Sequence, residues 1–310
     1  MTAPAAASVR LRRGPLELDA AADRFLSVTS LRHGGRELLA GPGELPPAAT
    51  VHGVSAGITL LHPWANRLGA DRFAVGGREV RLDVADAAVG RDDRGLAIHG
   101  LAAPAGAWRM RVAGGSLAAT LEHPGEDGAA FPFPHRVDVD VSLGEAGVRI
   151  ATTLRATGSV PVPAAFGWHP YLRLPGVARR AWTLELPARE RLVADARGLP
   201  SGPAVAEPAA AAPLGVRRLD TGCTGLAPGS ALAVRGGGWR VRVVLEQGYP
   251  AAQVFAPTEA DVVSLEPMTA VTDALRTGRG LPLVGPGAAL RATFTVAVEA
   301  PPAPSIVGRR

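Results

Sequence analysis

The chain has 310 residues, of which 47% are hydrophobic and 20% charged, the composition of a packed globular protein and not of a disordered one. Its formal net charge is +5, but the 33 basic residues, all arginines, are spread among 28 acidic residues, which argues against nucleic-acid binding. The single cysteine, Cys223, cannot form an internal disulfide, and no segment has the length and hydropathy of a signal peptide or a membrane span.

Short apolar or alternating segments separated by turns predict strands along most of the chain. They cover residues 80–84, 108–112, 136–143, 147–154, 181–186, 239–245 and 289–298. In 136–141 and 239–244 apolar and charged residues alternate, the pattern of a strand with one face in water. The best helical signal is short, at residues 273–276. With 38 glycines and 28 prolines between the strands, the sequence predicts an all-β, mostly antiparallel sandwich with few or no helices.

The chain shows no clear domain boundary. Residues 203–215 are rich in proline and alanine and predict a surface loop, and residues 301–310 form a proline-rich tail. Candidate functional residues lie on both sides of the predicted loop. We therefore expect one domain over residues 1–300, in a soluble cytoplasmic protein that is a monomer or a homodimer.

Four short polar segments interrupt the apolar strands. They lie at residues 62–67, 98–101, 167–171 and 265–269. Together they supply one arginine, two histidines and one glutamate, groups that can move protons at neutral pH. Arg67, next to Asn66, offers a rigid fork of donors for hydroxyl or carboxylate oxygens; the alternative is an ion pair with a structural acid. His99 precedes a glycine, and a capping or core role is the alternative to a place in a cleft.

The last two segments carry the strongest acid–base candidates. Glu266 lies in an apolar strand, where partial burial would raise its pKa and suit a general base; the alternative is a structural salt bridge. His169 lies between Trp168 and Tyr171, which would offer a platform for the face of a sugar; the alternative is a hydrogen-bonded core histidine. Asp220 stands in an Asp-Thr-Gly sequence that is equally typical of a turn.

The remaining histidines lie in turn-like or exposed contexts and are given no role. They are His33, His52, His62, His123 and His135. The sequence has no His-x-His or His-x-x-x-His pair, no phosphate-binding glycine loop and no serine-hydrolase elbow. We therefore expect neither a metal site nor another cofactor.

The order and composition of the four segments resemble the aldose 1-epimerase (galactose mutarotase-like) family, from about Val9 to Val298. The stretch 262–287, with Leu265-Glu266-Pro267-Met268 and a closing Pro-Gly, adds to the resemblance. It implies a single-domain β-supersandwich that interconverts the α and β anomers of an aldose such as glucose or galactose. Trp168 stands where the best-known galactose mutarotases often have asparagine, which leaves the identity of the sugar open.

The resemblance also implies roles for individual residues. Glu266 would be the general base, His169 the general acid and His99 the second active-site histidine. Arg67 would contact the substrate and Asp220 would be the sugar-binding aspartate. From their positions beside Arg67 and His169, we also expect Asn66, Trp168 and Tyr171 to bind the sugar.

Two other functions fit the same residues. A mutarotase of phosphorylated hexoses would need a cationic pocket, for which Arg72, Arg78 and Arg109 are available in the sequence. A non-catalytic sugar-binding protein could share the fold, because fold alone does not establish activity. A lyase or hydrolase is disfavoured, since hydrolases usually need two carboxylates beside the bond and only Glu266 is well placed.

Overall fold

The computed structural model describes residues 7–46 and 56–302. Within these ranges the chain forms 26 strands and one short α-helix. In chain order the strands are β1 (Ala7–Arg13), β2 (Leu16–Ala22), β3 (Leu26–His33), β4 (Arg36–Glu37), β5 (Ile58–Leu61), β6 (Arg72–Val75), β7 (Arg78–Arg81), β8 (Val89–Arg91), β9 (Ala97–Leu101), β10 (Arg109–Ala113), β11 (Ser116–His123), β12 (His135–Leu143), β13 (Gly147–Ala156), β14 (Val162–Pro163), β15 (Gly167–Leu172), β16 (Thr183–Leu186), β17 (Arg189–Arg191), β18 (Val205–Glu207), β19 (Ala210–Pro213), β20 (Leu219–Thr224), β21 (Ala231–Gly236), β22 (Trp239–Gln247), β23 (Ala251–Ala256), β24 (Val263–Met268), β25 (Leu283–Val284) and β26 (Ala289–Glu299). The helix is α1 (Ala274–Thr277), and a 3-10 turn covers Arg179–Ala181. In the part of the chain described, no helix has the length and hydropathy to cross a membrane.

The strands form two large antiparallel sheets. The first has the order β1-β2-β3-β5-β15-β24-β23-β20-β17-β18, with β4 beside β3. The second has the order β10-β11-β12-β13-β26-β22-β21-β16-β19. Three two-stranded ribbons, β14–β25, β6–β7 and β8–β9, accompany them. Because side chains alternate along a strand, each sheet has one face that packs in the core and an opposite face that points away from it.

The hydrophobic core lies between the two sheets. In β12 the residues at every second position are buried, from Val137 to Val141, as the alternating sequence predicts. Trp168 of β15 meets Phe294 of β26 with ring centroids 6.0 Å apart, and both rings are buried. This contact assigns the Trp168 face of β15 to the core. The neighbouring side chains on β15 therefore point to the opposite face of the first sheet.

The predicted all-β, mostly antiparallel sandwich is confirmed. Each of the seven predicted strand segments overlaps an observed strand, and the helical signal at 273–276 corresponds to α1. The loop predicted at 203–215 is wrong in part, because it contains β18 and β19, which pair with β17 and β16. These two strands lie mostly exposed at sheet edges, so no buried face imposes an alternating pattern on their sequence. One domain over 1–300 stays a prediction, and residues 303–310 of the tail lie outside the described ranges.

Candidate active site

Three adjacent strands of the first sheet, β15, β24 and β23, bring His169, Glu266 and Gln253 into one row. In the β15–β24 ladder Tyr171 pairs with Ser264 and Gly167 with Met268, a register that sets His169 opposite Glu266. On the other side of β24, Glu266 pairs with Gln253 of β23. All three side chains stand on the face of the sheet opposite Trp168. His169 follows Trp168 on β15, so the two side chains point to opposite faces. Glu266 and Gln253 point to the same face as His169, because residues directly opposite each other in neighbouring strands share a face.

Glu266 is buried and in contact with His169. Its Oε1 lies 3.2 Å from Nε2 of His169, while Nδ1 of His169 lies 2.8 Å from the hydroxyl oxygen of Ser264. Tyr171 stacks on the His169 ring with centroids 4.1 Å apart, which fixes the plane of the imidazole. The second carboxylate oxygen of Glu266, Oε2, has no hydrogen-bond partner among the described residues. A buried carboxylate oxygen without a partner is costly and marks a place for a polar ligand atom.

His99 is held against this row by the segment that carries Asn66. The backbone N–H of Asn66 donates to Nδ1 of His99 at 3.2 Å, so the neutral imidazole carries its proton on Nε2. The backbone carbonyl of Asn66 accepts the N–H of His99 at 3.1 Å. Both residues have positive φ, 60° each, a backbone conformation that is strained for a non-glycine residue and that concentrates at functional sites. The rings of His99 and His169 lie 5.3 Å apart, edge to face.

Arg67 and Asp220 form the polar side of the same cleft. The Nε of Arg67 donates to Asp92 at 2.8 Å, and its Nη1 donates to Asp220 at 3.3 Å. Gln253 donates to the other oxygen of Asp220 at 2.5 Å. These bonds link Arg67 to Gln253 and so to the acid–base row. The cleft opens to solvent and is lined by Asn66, Arg67, Asp92, Asp93, Ile98, His99, His169, Tyr171, Asp220, Gln253, Phe255 and Glu266.

Burial and charge shift the proton affinities in this cleft. Burial, and then the charge of Asp220, raise the pKa of Glu266 well above its ordinary value, with Arg67 acting in the opposite direction. Burial lowers the pKa of His169 to about 3. Both shifts run against the ordinary preference for the proton to sit on the histidine, so a proton shared by the pair is favoured on Glu266 and His169 is neutral. Burial would lower the pKa of Arg67, but Asp220, Asp92 and Glu266 raise it.

The structure brings together seven of the eight residues predicted for the site and places the eighth elsewhere. The prediction that Trp168 stacks on a sugar is corrected, because its ring lies in the core and its Nε1 donates to Thr152 at 3.0 Å. The alternation of β15 is the reason, since His169 and Trp168 must point to opposite faces. Trp64, in the polar segment 62–67, is also buried in the core.

The histidines that were assigned no role include a cluster in which His62 and His135 are buried and His123 is half-buried, so the expectation of turn-like or exposed positions is wrong for it. Nε2 of His62 lies 2.7 Å from Nε2 of His135, whose Nδ1 donates to the carbonyl of Phe133 at 2.6 Å. His123 stacks on His135 with centroids 4.7 Å apart and an interplanar angle of 15°. We call these three residues the histidine cluster. His52 lies outside the described ranges.

In the described residues no group of three histidine, cysteine, aspartate or glutamate side chains could hold a metal ion. For the histidine cluster the stacking explains this, since two parallel rings cannot both direct a lone pair at one ion.

Sequence reasoning missed four polar residues of the site: Asp92, Asp93, Gln253 and Ser264. Gln253 carried a usable signal, because it is a lone amide within the apolar strand Ala251–Ala256. Gly222, opposite it on β20, leaves room for its side chain, since a Cβ there would lie 2.9 Å from the Gln253 amide oxygen. Asp92 carried no such signal, because it lies in a polar turn.

The chain is similar to known proteins of one family. The family model described as aldose 1-epimerase matches residues 27–296. A putative aldose 1-epimerase from Escherichia coli K12 is similar in structure, with a TM-score of 0.75 at 20% identity, over 95% of this chain and 99% of that one. A galactose mutarotase related enzyme from Lactobacillus acidophilus has a TM-score of 0.77 at 15% identity, over 95% and 98% of the two chains. No curated protein matches the sequence significantly.

An aldose epimerase homologue from C. elegans has a TM-score of 0.75 at 14% identity, over 96% of this chain and all of that one. At these identities the structures show a shared fold. The family match spans most of the sequence, so the protein belongs to the aldose 1-epimerase family. The sequence resemblance to that family is thereby confirmed.

Proposed function

We propose that the protein is an aldose 1-epimerase that acts on a free, uncharged aldose by general acid–base catalysis. The observation that carries the proposal is the pair formed by Glu266 and His169. One oxygen of the buried carboxylate contacts the imidazole, and the other has no partner among the described residues at the wall of an open cleft. A base and an acid held side by side match the two oxygens of a hemiacetal, which are bonded to the same carbon.

The reaction needs only proton transfers and a bond rotation. Glu266 takes the proton of the anomeric hydroxyl while His169, protonated, gives its proton to the ring oxygen, and the bond from the anomeric carbon to that oxygen breaks. The open aldehyde rotates, the ring hydroxyl attacks the other face of the carbonyl, and both protons return. The pair carries one proton throughout: ring opening starts from the form with a proton on His169 beside the ionised Glu266, and it ends with the proton of the anomeric hydroxyl on Glu266. Positioned groups of this kind typically contribute ~10²–10⁴-fold in rate.

The other polar residues would bind the sugar hydroxyls. Arg67 offers the outer edge of its guanidinium, Asp220 and Gln253 offer an acceptor and an amide, and Nε2–H of His99 offers a donor. His99 would steady the side of the ring oxygen. Tyr171 would act through His169, whose ring it covers. These groups can recognise neutral hydroxyls by hydrogen bonds in both directions.

Charge favours a neutral sugar over a phosphorylated one. Among the described residues that line the cleft, Arg67 is the one arginine, and it faces the carboxylates of Asp92, Asp93 and Asp220, so a phosphate dianion would be repelled. Arg67 is already bonded to two of these carboxylates. The arginines considered for phosphate binding do not line the cleft: they are Arg72, Arg78 and Arg109.

The test follows the optical rotation of freshly dissolved α-D-glucose and α-D-galactose with and without the protein. We expect a faster approach to the same final rotation, lost by at least ~10²-fold in Glu266→Gln because the base is removed. The matched control is Glu246→Gln, since Glu246 pairs with Arg149 in the second sheet. Acceleration of the 6-phosphates alone would support the phosphohexose alternative. Sugar binding without acceleration would support a binding protein, and both outcomes contradict the proposal.

A further inference from the structure

Asp92 has two separate tasks, one for each carboxylate oxygen. Its Oδ1 accepts the backbone N–H groups of Arg94 at 3.0 Å and of Leu96 at 2.9 Å, which closes the turn between β8 and β9. Its Oδ2 accepts Nε of Arg67 at 2.8 Å. The Asp92 side chain is only 6% exposed, and that of Arg67 14%, so solvent screens this ion pair weakly.

The same turn occurs a second time beside Arg67. Residues 92–96 and 195–199 share the sequence Asp-x-Arg-Gly-Leu. In the second turn Oδ1 of Asp195 accepts the backbone N–H groups of residues 197 and 199 at 2.8 and 3.0 Å, as Asp92 does in the first. Its Oδ2, however, faces Arg197 of its own turn at 3.3 Å and not Arg67. Both aspartates therefore accept the backbone N–H groups that close their turns, but of the two only Asp92 accepts a hydrogen bond from Arg67.

The bond to Asp92 is the shorter of the two that hold the Arg67 side chain. Hydrogen bonds between a guanidinium and a carboxylate are typically about 2.7–2.9 Å long. The 2.8 Å bond to Asp92 falls in that range, and the 3.3 Å contact with Asp220 does not. The backbone of Arg67 is fixed independently, since its carbonyl accepts the N–H of Asp273 at 3.1 Å. Asp92 thus determines where the guanidinium points once the backbone is placed.

We propose that Asp92 is a positioning residue for the epimerase reaction: it holds Nε of Arg67 so that the outer edge of the guanidinium faces the sugar. This inference rests on the proposed function, in which Arg67 binds substrate hydroxyls. Without Asp92 the guanidinium turns toward Asp220 and pairs with it through both outer nitrogens. In that pairing the donors of Arg67 and the acceptor of Asp220 bond to each other and no longer to the sugar.

The kinetic test compares Asp92→Asn with Asp195→Asn. The asparagine oxygen still accepts the two turn N–H groups, but its amide cannot accept Nε–H of Arg67. We expect KM for the aldose to rise about tenfold in Asp92→Asn with kcat within about threefold, because Arg67 binds the sugar before and during ring opening. Asp195→Asn should leave KM within about twofold. Equal effects of the two substitutions on KM, or none in Asp92→Asn, overturn the proposal, because they would show only a turn effect or no effect.

A second measurement tests the positioning without turnover. In protein labelled with ¹⁵N-arginine, the Nε–H signal of Arg67 is identified by its absence in Arg67→Lys. We expect this proton to exchange slowly with water in the wild type and in Asp195→Asn, and rapidly in Asp92→Asn. Rapid exchange in the wild type overturns the proposal even if Asp92→Asn does not fold. A slow-exchanging Nε–H in a protein without epimerase activity would instead contradict the proposed function and leave the geometry standing.

Discussion

The histidine cluster predicts a steep loss of stability in mild acid, and His123→Phe isolates one part of it. His123 stacks on His135, and its Nδ1 is buried without a partner among the described residues. Phenylalanine keeps a flat ring in the stack and removes the titration. Because this Nδ1 makes no hydrogen bond there, the substitution takes none away from it.

The magnitude follows from the pKa of His123 in the two states. Burial lowers it from an ordinary 6.5 to about 4, so the folded protein keeps this ring neutral where the unfolded chain protonates it. The unfolded state therefore binds more protons below pH 6.5, and stability falls as pH decreases toward 4. At pH 5 the unfolded chain gains about 2 kcal/mol from this single histidine relative to pH 7.5. The pKa of His135 is lowered to about 3 and that of His62 well below its ordinary value, both by burial first, so they act in the same direction.

The assay is urea unfolding followed by tryptophan fluorescence at pH 7.5, 6 and 5. Wild type and His123→Phe should both lose stability as the pH falls. The variant should lose about 2 kcal/mol less between pH 7.5 and 5, because one proton fewer is taken up on unfolding. The value at pH 7.5 is the internal control, since there the imidazole is mostly neutral in both states. Parallel pH dependences for the two proteins would refute the argument that His123 is buried in its neutral form.

Three further outcomes are expected. Asp220→Asn should move the acidic limb of the pH profile of kcat/KM to lower pH, because the charge of Asp220 raises the pKa of Glu266; a limb that stays in place or moves up contradicts this coupling. Gly100→Ala should lower the free energy of unfolding by at least ~2 kcal/mol in urea titrations, because Gly100 has φ 78° and a Cβ would overlap the carbonyl oxygen of His62. Trp168→Phe should cost about 1–2 kcal/mol of stability through the lost bond to Thr152 while KM stays unchanged; a rise in KM would mean that the ring contacts sugar after all.

The sequence was sufficient for the fold class, because the signals for it are local. Alternation in residues 136–141 reports one buried and one wet face without reference to any other strand. The same logic failed at 203–215, where edge strands have no buried face to report. It also failed for the histidine cluster, since His62, His123 and His135 come from separate segments and are buried by each other and by Phe131.

Within the site, polar residues in apolar strands could be found and polar residues in turns could not. Glu266 and His169 stood out because a charged or titratable group in a buried strand needs a reason to be there. Asp92 stood in a turn, where aspartate is expected for its local hydrogen bonds, and those bonds are indeed present. Its second bond, to a residue 25 positions earlier in the chain, left no trace in the local sequence.

Sheet register explains why two site residues far apart in the sequence are in direct contact. His169 and Glu266 are 97 positions apart in the sequence, yet the β15–β24 ladder sets them opposite each other. A shift of the ladder by one residue would bring Trp168 out of the core and turn one member of the pair toward it, so the hydrophobic contact of Trp168 with Phe294 holds the register that sets His169 opposite Glu266. Trp168, expected from the sequence to touch the sugar, thus supports the candidate acid–base pair from the other face of the sheet. The pairing of β15 with β24 therefore places Trp168 in the core on one face of the sheet and the His169–Glu266 pair on the other face.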